Sequence, residues 1–500
     1  MVGGTAMLRG QQAQALAEQG RYEEALALIE GASADEQAAL LALRLNLAKA
    51  LERYDIVVAI RRAQVAQAPT SMVAFHNLAS ALGDFGLVGE AETAARKAFT
   101  LGGDAPETWL VLARALQGQG RWEEAKAAFT EVLKRRSDYA VAASELAQLI
   151  WMCGGTQADA RATLLQVLSK HPATADVLDA WAVLDSYMGL PESEVYAQHI
   201  LRMKSVGTES MSLEVTAANL SMEFNPAQAV QHAGKAVDLA PNEPSAWAIY
   251  AQTLMVAGRI EEAAEILSGL VRIPKHDQMA LALHATAMRA LGKQDALGLD
   301  DADGLIRAEQ IDTPDGWENL TDFLVDLKSS LERQHGLVRH PVGQSLRHGT
   351  QTSVDLCRVD DPVIKAFFSA IDTPIRRYLA ALGQGDDPVR KRNTGDYRFA
   401  GCWSVRLGNG GFHKSHIHSK GWLSSACYID LPDAIGRGGN EGWIGFGVPP
   451  FNLPRPLDYL KLEKPEPGKL VLFPSCMWHG TLPFTDECPR LTIAFDLLPA

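Results

Sequence analysis

Long apolar runs are missing from this sequence. No stretch is long enough to cross a bilayer, so no membrane partner is expected. The N-terminal MVGGTAMLRGQQAQALAEQG has neither a sustained apolar core nor a cleavage pattern, so no secretory signal is expected. Cysteine is scarce: Cys153, Cys357, Cys402, Cys427, Cys476 and Cys488 are irregularly spaced in 500 residues and form no CxxC pair. That spacing argues for reduced thiols in a cytoplasmic protein. Positive charge is also short, with 47 Lys and Arg against 60 Asp and Glu. The deficit lies in residues 1–330, which carry a net −16, whereas 331–500 carry +3. An acidic first part repels phosphates and argues against nucleic acid as a partner. Solubility alone accounts for the acid surplus. Histidine is uncommon as well, yet three of the 13 fall within six positions of HKSHIHSKGW, residues 413–422.

Five hundred residues imply two or three domains. The first 300 are organised by a repeat. QGRYEEALALI (19–29), FGLVGEAETAA (85–95), QGRWEEAKAAF (119–129) and AGRIEEAAEIL (257–267) share a turn residue, an aromatic or aliphatic residue, an acid and then alanine. The turn glycines are Gly20, Gly86, Gly120, Gly155, Gly189, Gly258 and Gly292, with Tyr54 and Phe224 near two further turns. Most spacings are 34 or 35 residues. One helix pair cannot bury its apolar face, but stacked pairs can, and they form a concave groove. The pattern resembles the tetratricopeptide repeat over residues 8–296 and is clearest around 75–135 and 245–272. The resemblance implies an all-α solenoid, residues 1–296, with a peptide or protein partner in its groove.

Residues 297–394 are expected to be a linker with supporting helices. LGLDDADGLIRAEQIDTPDGW is acidic and turn-rich, whereas NLTDFLVDLKSSLERQ (319–334) and PVIKAFFSAIDTPIRRYLAALG (362–383) have helical periodicity. HPVGQSLRHGTQTS (340–353) is polar and specifies no chemistry. From Tyr397 the period shifts toward two. FAGCWSVRL, GWLSSACYIDL, EGWIGFGV, KLVLFP and RLTIAFDLL predict short strands, and GNGG, PDAIGRGGN and KPEPG predict turns between them. Strands this dense suggest an antiparallel barrel or jelly roll over residues 395–500.

On a strand, His416 and His418 at i and i+2 share one face. His479 lies far downstream, just after KLVLFP. Two ligands on one strand and a third on a neighbour make a facial metal set with open positions opposite. Arg490 opens the final strand with Thr492 at i+2, and a buried arginine fork there suits a carboxylate. His413 stands at the strand entrance as a ligand, a second-layer group or a substrate donor.

These residues resemble the Fe(II)/2-oxoglutarate-dependent oxygenases over about residues 300–500. Their pattern, His-x-Asp/Glu, a distant His, then Arg with Ser or Thr two on, reads here as His416-Ile417-His418, His479 and Arg490-Leu491-Thr492. The resemblance implies a double-stranded β-helix with Fe(II) on His416, His418 and His479. It further implies 2-oxoglutarate held by Arg490 and Thr492, O2 as the oxidant, and Tyr428 as a hydrogen-bonding partner of the cosubstrate. His418 replaces the usual carboxylate, which leaves the ligand set one negative charge short. Asp430, 12 residues on, is the alternative ligand. A non-catalytic repeat scaffold with a vestigial or sensory barrel, and a cupin-like metal barrel, stay open beside the oxygenase. Because all proposed ligands lie beyond residue 300, a fragment of residues 300–500 is expected to keep its own core; the alternative is that the last repeats pack on the barrel and complete its fold, which would make the fragment insoluble.

Overall fold

The computed structural model describes residues 2–207, 209–273 and 278–500. The chain divides into two compact units, Met1–Arg136 and Ser137–Ala500.

Helix pairs build the first unit and the first half of the second. Val2–Glu18 precedes Tyr22–Glu30, Met72–Asp84 precedes Val88–Thr100, and Pro106–Gly118 precedes Trp122–Arg135. In the second unit Ala140–Met152 precedes Gln157–Lys170, Ala175–Tyr187 precedes Glu192–Val206, and Met211–Ser221 precedes Pro226–Leu239. Pro244–Val256 then precedes Ile260–Leu270, and Gln278–Ala290 closes the series. The repeat's alanines explain its close packing: Ala25, Ala91, Ala125 and Ala263 are fully buried where only a methyl group fits. The turns need left-handed backbone. Gly20, Gly86, Gly120, Gly189, Gly258 and Gly292 have φ between 65° and 84°. At the fourth turn Gly154, not Gly155, takes that conformation (φ 94°), because the Gly155 amide closes the turn on Ile150 O. Near Tyr54, Glu52 adopts φ 55° in place of a glycine.

Nine strands form one curled antiparallel sheet in the C-terminal part. They are β1 (Arg307–Gln310), β2 (Leu346–Gln351), β3 (Tyr397–His416), β4 (Leu423–Asp430), β5 (Ile444–Phe446), β6 (Lys461–Glu463), β7 (Lys469–Pro474), β8 (His479–Thr481) and β9 (Arg490–Pro499). Their order is β1-β7-β4-β9-β3-β8-β5-β6, with β2 on β3. The segment 297–394 supplies its two expected helices, Leu320–Glu332 and Pro362–Leu382, and also two strands, β1 and β2. GNGG does not end a strand. β3 runs through it, and the register slips there, so that Arg347 faces Phe412 while Gly349 faces Leu407.

The largest apolar cluster of the sheet lies between its strands and the helices Leu320–Glu332 and Pro362–Leu382, and a second cluster joins the sheet to the repeats. Trp478, Phe451 and Leu453 pack in one cluster with Ala263, Leu267, Leu283 and Ala287 of the last repeat helices. The Trp478 indole donates to Thr286 Oγ1 at 2.9 Å, and Arg289 donates to Gly447 O and Asp458 O. The closing helix of the repeats is thus a wall of the sheet, the arrangement expected if the last repeats complete the fold of residues 300–500. No helix among the described residues is long and apolar enough to cross a membrane.

Candidate metal centre

The site sits where β3, β8 and the final strand converge. β3 ends at His416, which faces His479 directly in the β8 register. His418 lies two residues past the strand, yet its chain stays tethered, because its amide donates to Ser475 O at 3.0 Å. The i, i+2 spacing therefore places both rings on one side, although only His416 belongs to the strand. The three rings close on one another, with centroids 4.2 Å apart for His416–His479, 5.0 Å for His418–His479 and 5.2 Å for His416–His418. One nitrogen from each lies within 4.8 Å of the other two, a set that can hold one metal ion.

The opposite nitrogens are all occupied. His416 Nδ1 meets Lys414 O at 3.0 Å and His479 Nδ1 meets Met477 O at 3.0 Å. His418 Nδ1 meets the Asp496 carboxylate at 2.5 Å. Ser424 Oγ sits 3.0 Å from His418 Nδ1 and donates to Asp496 at 2.7 Å. Each imidazole thus carries its proton on Nδ1 and turns Nε2 inward, which is how metal-binding histidines are fixed. Burial and the neighbouring imidazoles hold His479 well below the usual histidine pKa and lower His416 to about 3. Both rings stay neutral and able to donate a lone pair. The inward set fits a divalent cation in its donor chemistry, and the Asp496 carboxylate faces it through His418.

Arg490 shares the same cavity of about 460 Å³. It is only 2% exposed, and burial pushes its pKa below the usual guanidinium value. Its Nη1 donates to Thr481 Oγ1 at 3.2 Å, and its Nε is buried without a partner. No carboxylate pairs with it among the described residues. A buried cation without a counter-ion is costly, and an anion in the cavity would offset that cost.

The other expected residues spread out. Thr492 lines the cavity, but its hydroxyl goes to Val405 O at 3.4 Å, and Thr481 is the hydroxyl that meets Arg490. Tyr428 is fully buried with its ring 5.1 Å from the Arg490 guanidinium, and burial pushes its pKa up to about 12. Asp430 points away and pairs with Lys328 at 2.7 Å. His413 lines the cavity, stacks on His416 at 5.7 Å and contacts Ser345 Oγ at 3.0 Å. Asp496 and Thr481 were not foreseen. Asp496 had a signal: Arg490, Thr492, Ala494 and Asp496 alternate along β9 and all face the cavity.

Residues 401–496 match a family model described as "Putative 2OG-Fe(II) oxygenase", a span that contains His416, His418, His479, Arg490 and Asp496. Residues 110–176 and 220–287 match two tetratricopeptide repeat families. Among solved structures the chain is similar to the APC/C hetero-tetramer Cut9-Hcn1, at 14% identity and TM-score 0.33, covering 55% of each chain. It therefore spans about half the length of that protein. It is also similar to a tetratricopeptide repeat protein from Parabacteroides merdae, at 12% identity and TM-score 0.33, over 50% of this chain and 99% of that one. MamA matches at 15% identity and TM-score 0.27, over 32% of this chain and 94% of that one. No curated protein matches the chain.

Proposed function

We propose that the C-terminal domain is a double-stranded β-helix Fe(II)- and 2-oxoglutarate-dependent oxygenase that hydroxylates a C–H bond of a peptide or protein substrate. The observation that carries this is the joint presence, in one cavity, of three inward-facing imidazole nitrogens and a buried arginine without a counter-ion. When bound, Fe(II) would supply the oxygen activation by which 2-oxoglutarate, O2 and a substrate C–H bond give succinate, carbon dioxide and a C–OH group, one oxygen atom going to succinate and one to the product.

The chain's own residues set the geometry and the charge. His416, His418 and His479 hold the metal through Nε2. Asp496 fixes the His418 tautomer and raises its basicity, so the carboxylate missing from the ligand set acts from one bond further out. Ser424 holds that carboxylate in place. Arg490 takes the distal carboxylate of the cosubstrate, and Thr481 orients the guanidinium. Trp403, whose ring lies 5.6 Å from that of His418, covers one wall and limits water.

The repeats recruit the substrate, residues 297–394 add two strands and two bracing helices to the sheet, and residues 395–500 carry the metal ligands. The helix Gln278–Ala290 serves both the repeats and the barrel. A reducing, cytoplasmic setting suits an Fe(II) site and six free thiols. The test is succinate formation in air by Fe(II)-loaded protein. Wild-type protein forms succinate and His479→Ala forms none. Equal succinate from both would overturn the assignment.

A further inference from the structure

The cavity has more positive charge than the cosubstrate uses. Its wall holds the basic side chains Arg347, Lys414 and Arg490, and one acid, Asp496, which is committed to His418. In a chain of net charge −13 this concentration of cations is a local reversal. Arg490 is deep and is spent on 2-oxoglutarate. Arg347 and Lys414 are the more exposed of these lining cations.

Arg347 is the one built into place. It sits on β2, and its guanidinium carbon lies 4.3 Å from the centroid of Tyr187, which closes the repeat helix Ala175–Tyr187 and also lines the cavity. Its Nη1 donates to Gln344 O at 2.7 Å and to Leu346 O at 2.9 Å. Those bonds fix the plane of the group. Its Nε–Nη2 edge bonds no group of the described protein, and no carboxylate pairs with Arg347 or Lys414 at ion-pair distance among the described residues. Glu192 of the repeats interacts with Lys414 electrostatically without forming an ion pair. A guanidinium held over a ring, with one donor edge left over, is an arrangement that receives a carboxylate through two parallel hydrogen bonds.

We propose that Arg347, seated on Tyr187 and assisted by Lys414, binds a carboxylate of the substrate at the cavity mouth, so that this site selects an acidic molecule. The inference rests on the oxygenase function proposed above and names its substrate class. The acidic group can come from a Glu or Asp side chain of a polypeptide or from a small carboxylic acid. A platform supplied by the repeats makes substrate choice a joint property of both parts of the second unit, and Arg347 its determinant.

The test uses full-length protein with Mn(II) and 2-oxoglutarate under argon, so that the Arg490 end of the cavity is filled. Fluorescence anisotropy follows a labelled Glu-containing hexapeptide and its Gln counterpart. The Glu peptide is expected to bind about tenfold tighter than the Gln peptide, as one charge-assisted fork contributes. Arg347→Gln is expected to erase that preference, and Arg347→Lys to leave part of it, because the charge stays and the fork is lost. Circular dichroism checks that both variants are folded. Glutarate displacing the Glu peptide at equal concentration identifies a small acid as the source, and failure to displace it identifies the polypeptide. Equal binding of the two peptides, or a preference that survives Arg347→Gln, would overturn the inference. The titration reads binding and not turnover. A protein that prefers the Glu peptide but forms no succinate keeps this inference and sinks the oxygenase function.

Discussion

Cutting the chain at residue 300 removes a wall of the barrel. In the intact protein Trp478, Phe451 and Leu453 are 5%, 7% and 8% exposed, and the helices between 260 and 290 cover them. Exposing three large apolar side chains costs about 1.5–3 kcal/mol each, or roughly 5–9 kcal/mol together. Losing the Trp478–Thr286 hydrogen bond adds about 1 kcal/mol. A domain has only about 5–15 kcal/mol of stability to lose. Trp478 also directly precedes His479, so the damage reaches the metal site. Residues 300–500 are therefore expected to be insoluble, or soluble without a cooperative transition. Residues 137–500 retain every contact of their compact unit and are expected to fold. Urea unfolding followed by tryptophan fluorescence, with metal content by elemental analysis, compares the two fragments. A sharp transition and one metal per chain in residues 300–500 would refute the reasoning.

Asp496→Asn keeps the shape of the group on His418 but removes its charge, and metal affinity is expected to fall about 10- to 100-fold in competition with a chelating dye. Gly480 lies against the β3 backbone, and a Cβ there would stand 2.8 Å from His413 O. Gly480→Ala is therefore expected to push β8 off β3 and move His479, lowering stability by about 1–3 kcal/mol and reducing metal content, as melting curves and elemental analysis would read. His335 is half-buried between Thr350 and Ser404, and desolvation lowers its pKa to about 4. The unfolded chain then binds the extra proton first, so the stability from neutral His335 is complete above pH 6.5 and is lost as pH falls toward 4. Its ceiling is about 3 kcal/mol. Urea midpoints between pH 7 and pH 4 should fall less in His335→Gln than in wild type, and parallel curves would contradict this.

The architecture was legible because both periods are local. Alanine and glycine at 34-residue spacing encode helix pairs, and alternation in KLVLFP and RLTIAFDLL encodes strands that appear as β7 and β9. The convergence of His416, His418 and His479 was legible from their spacing, although His418 lies past the end of β3 and is held in place by Ser475. What stayed hidden depends on tertiary partners. HPVGQSLRHGTQTS has no strong strand pattern, yet it forms β2 and places Ser345 and Arg347 in the cavity, because β3 offers it an edge. GNGG reads as a turn, and pairing on both sides carries β3 through it. Thr481 meets Arg490 only because β8 folds beside β3, which no local signal records. The dependence of the barrel on helix Gln278–Ala290 follows from packing between residues about 190 positions apart, beyond the reach of periodicity.

The central claim is that one cavity binds a metal on three histidines and a dicarboxylate on Arg490 together. Isothermal titration of 2-oxoglutarate into the full-length protein under argon, with and without Fe(II), tests it most directly. One equivalent is expected to bind in the presence of Fe(II). Affinity should drop at least about tenfold when the metal is omitted, in His479→Ala and in Arg490→Ala, and Arg490→Lys should fall between. Equal affinity without metal, or unchanged affinity in Arg490→Ala, would contradict it.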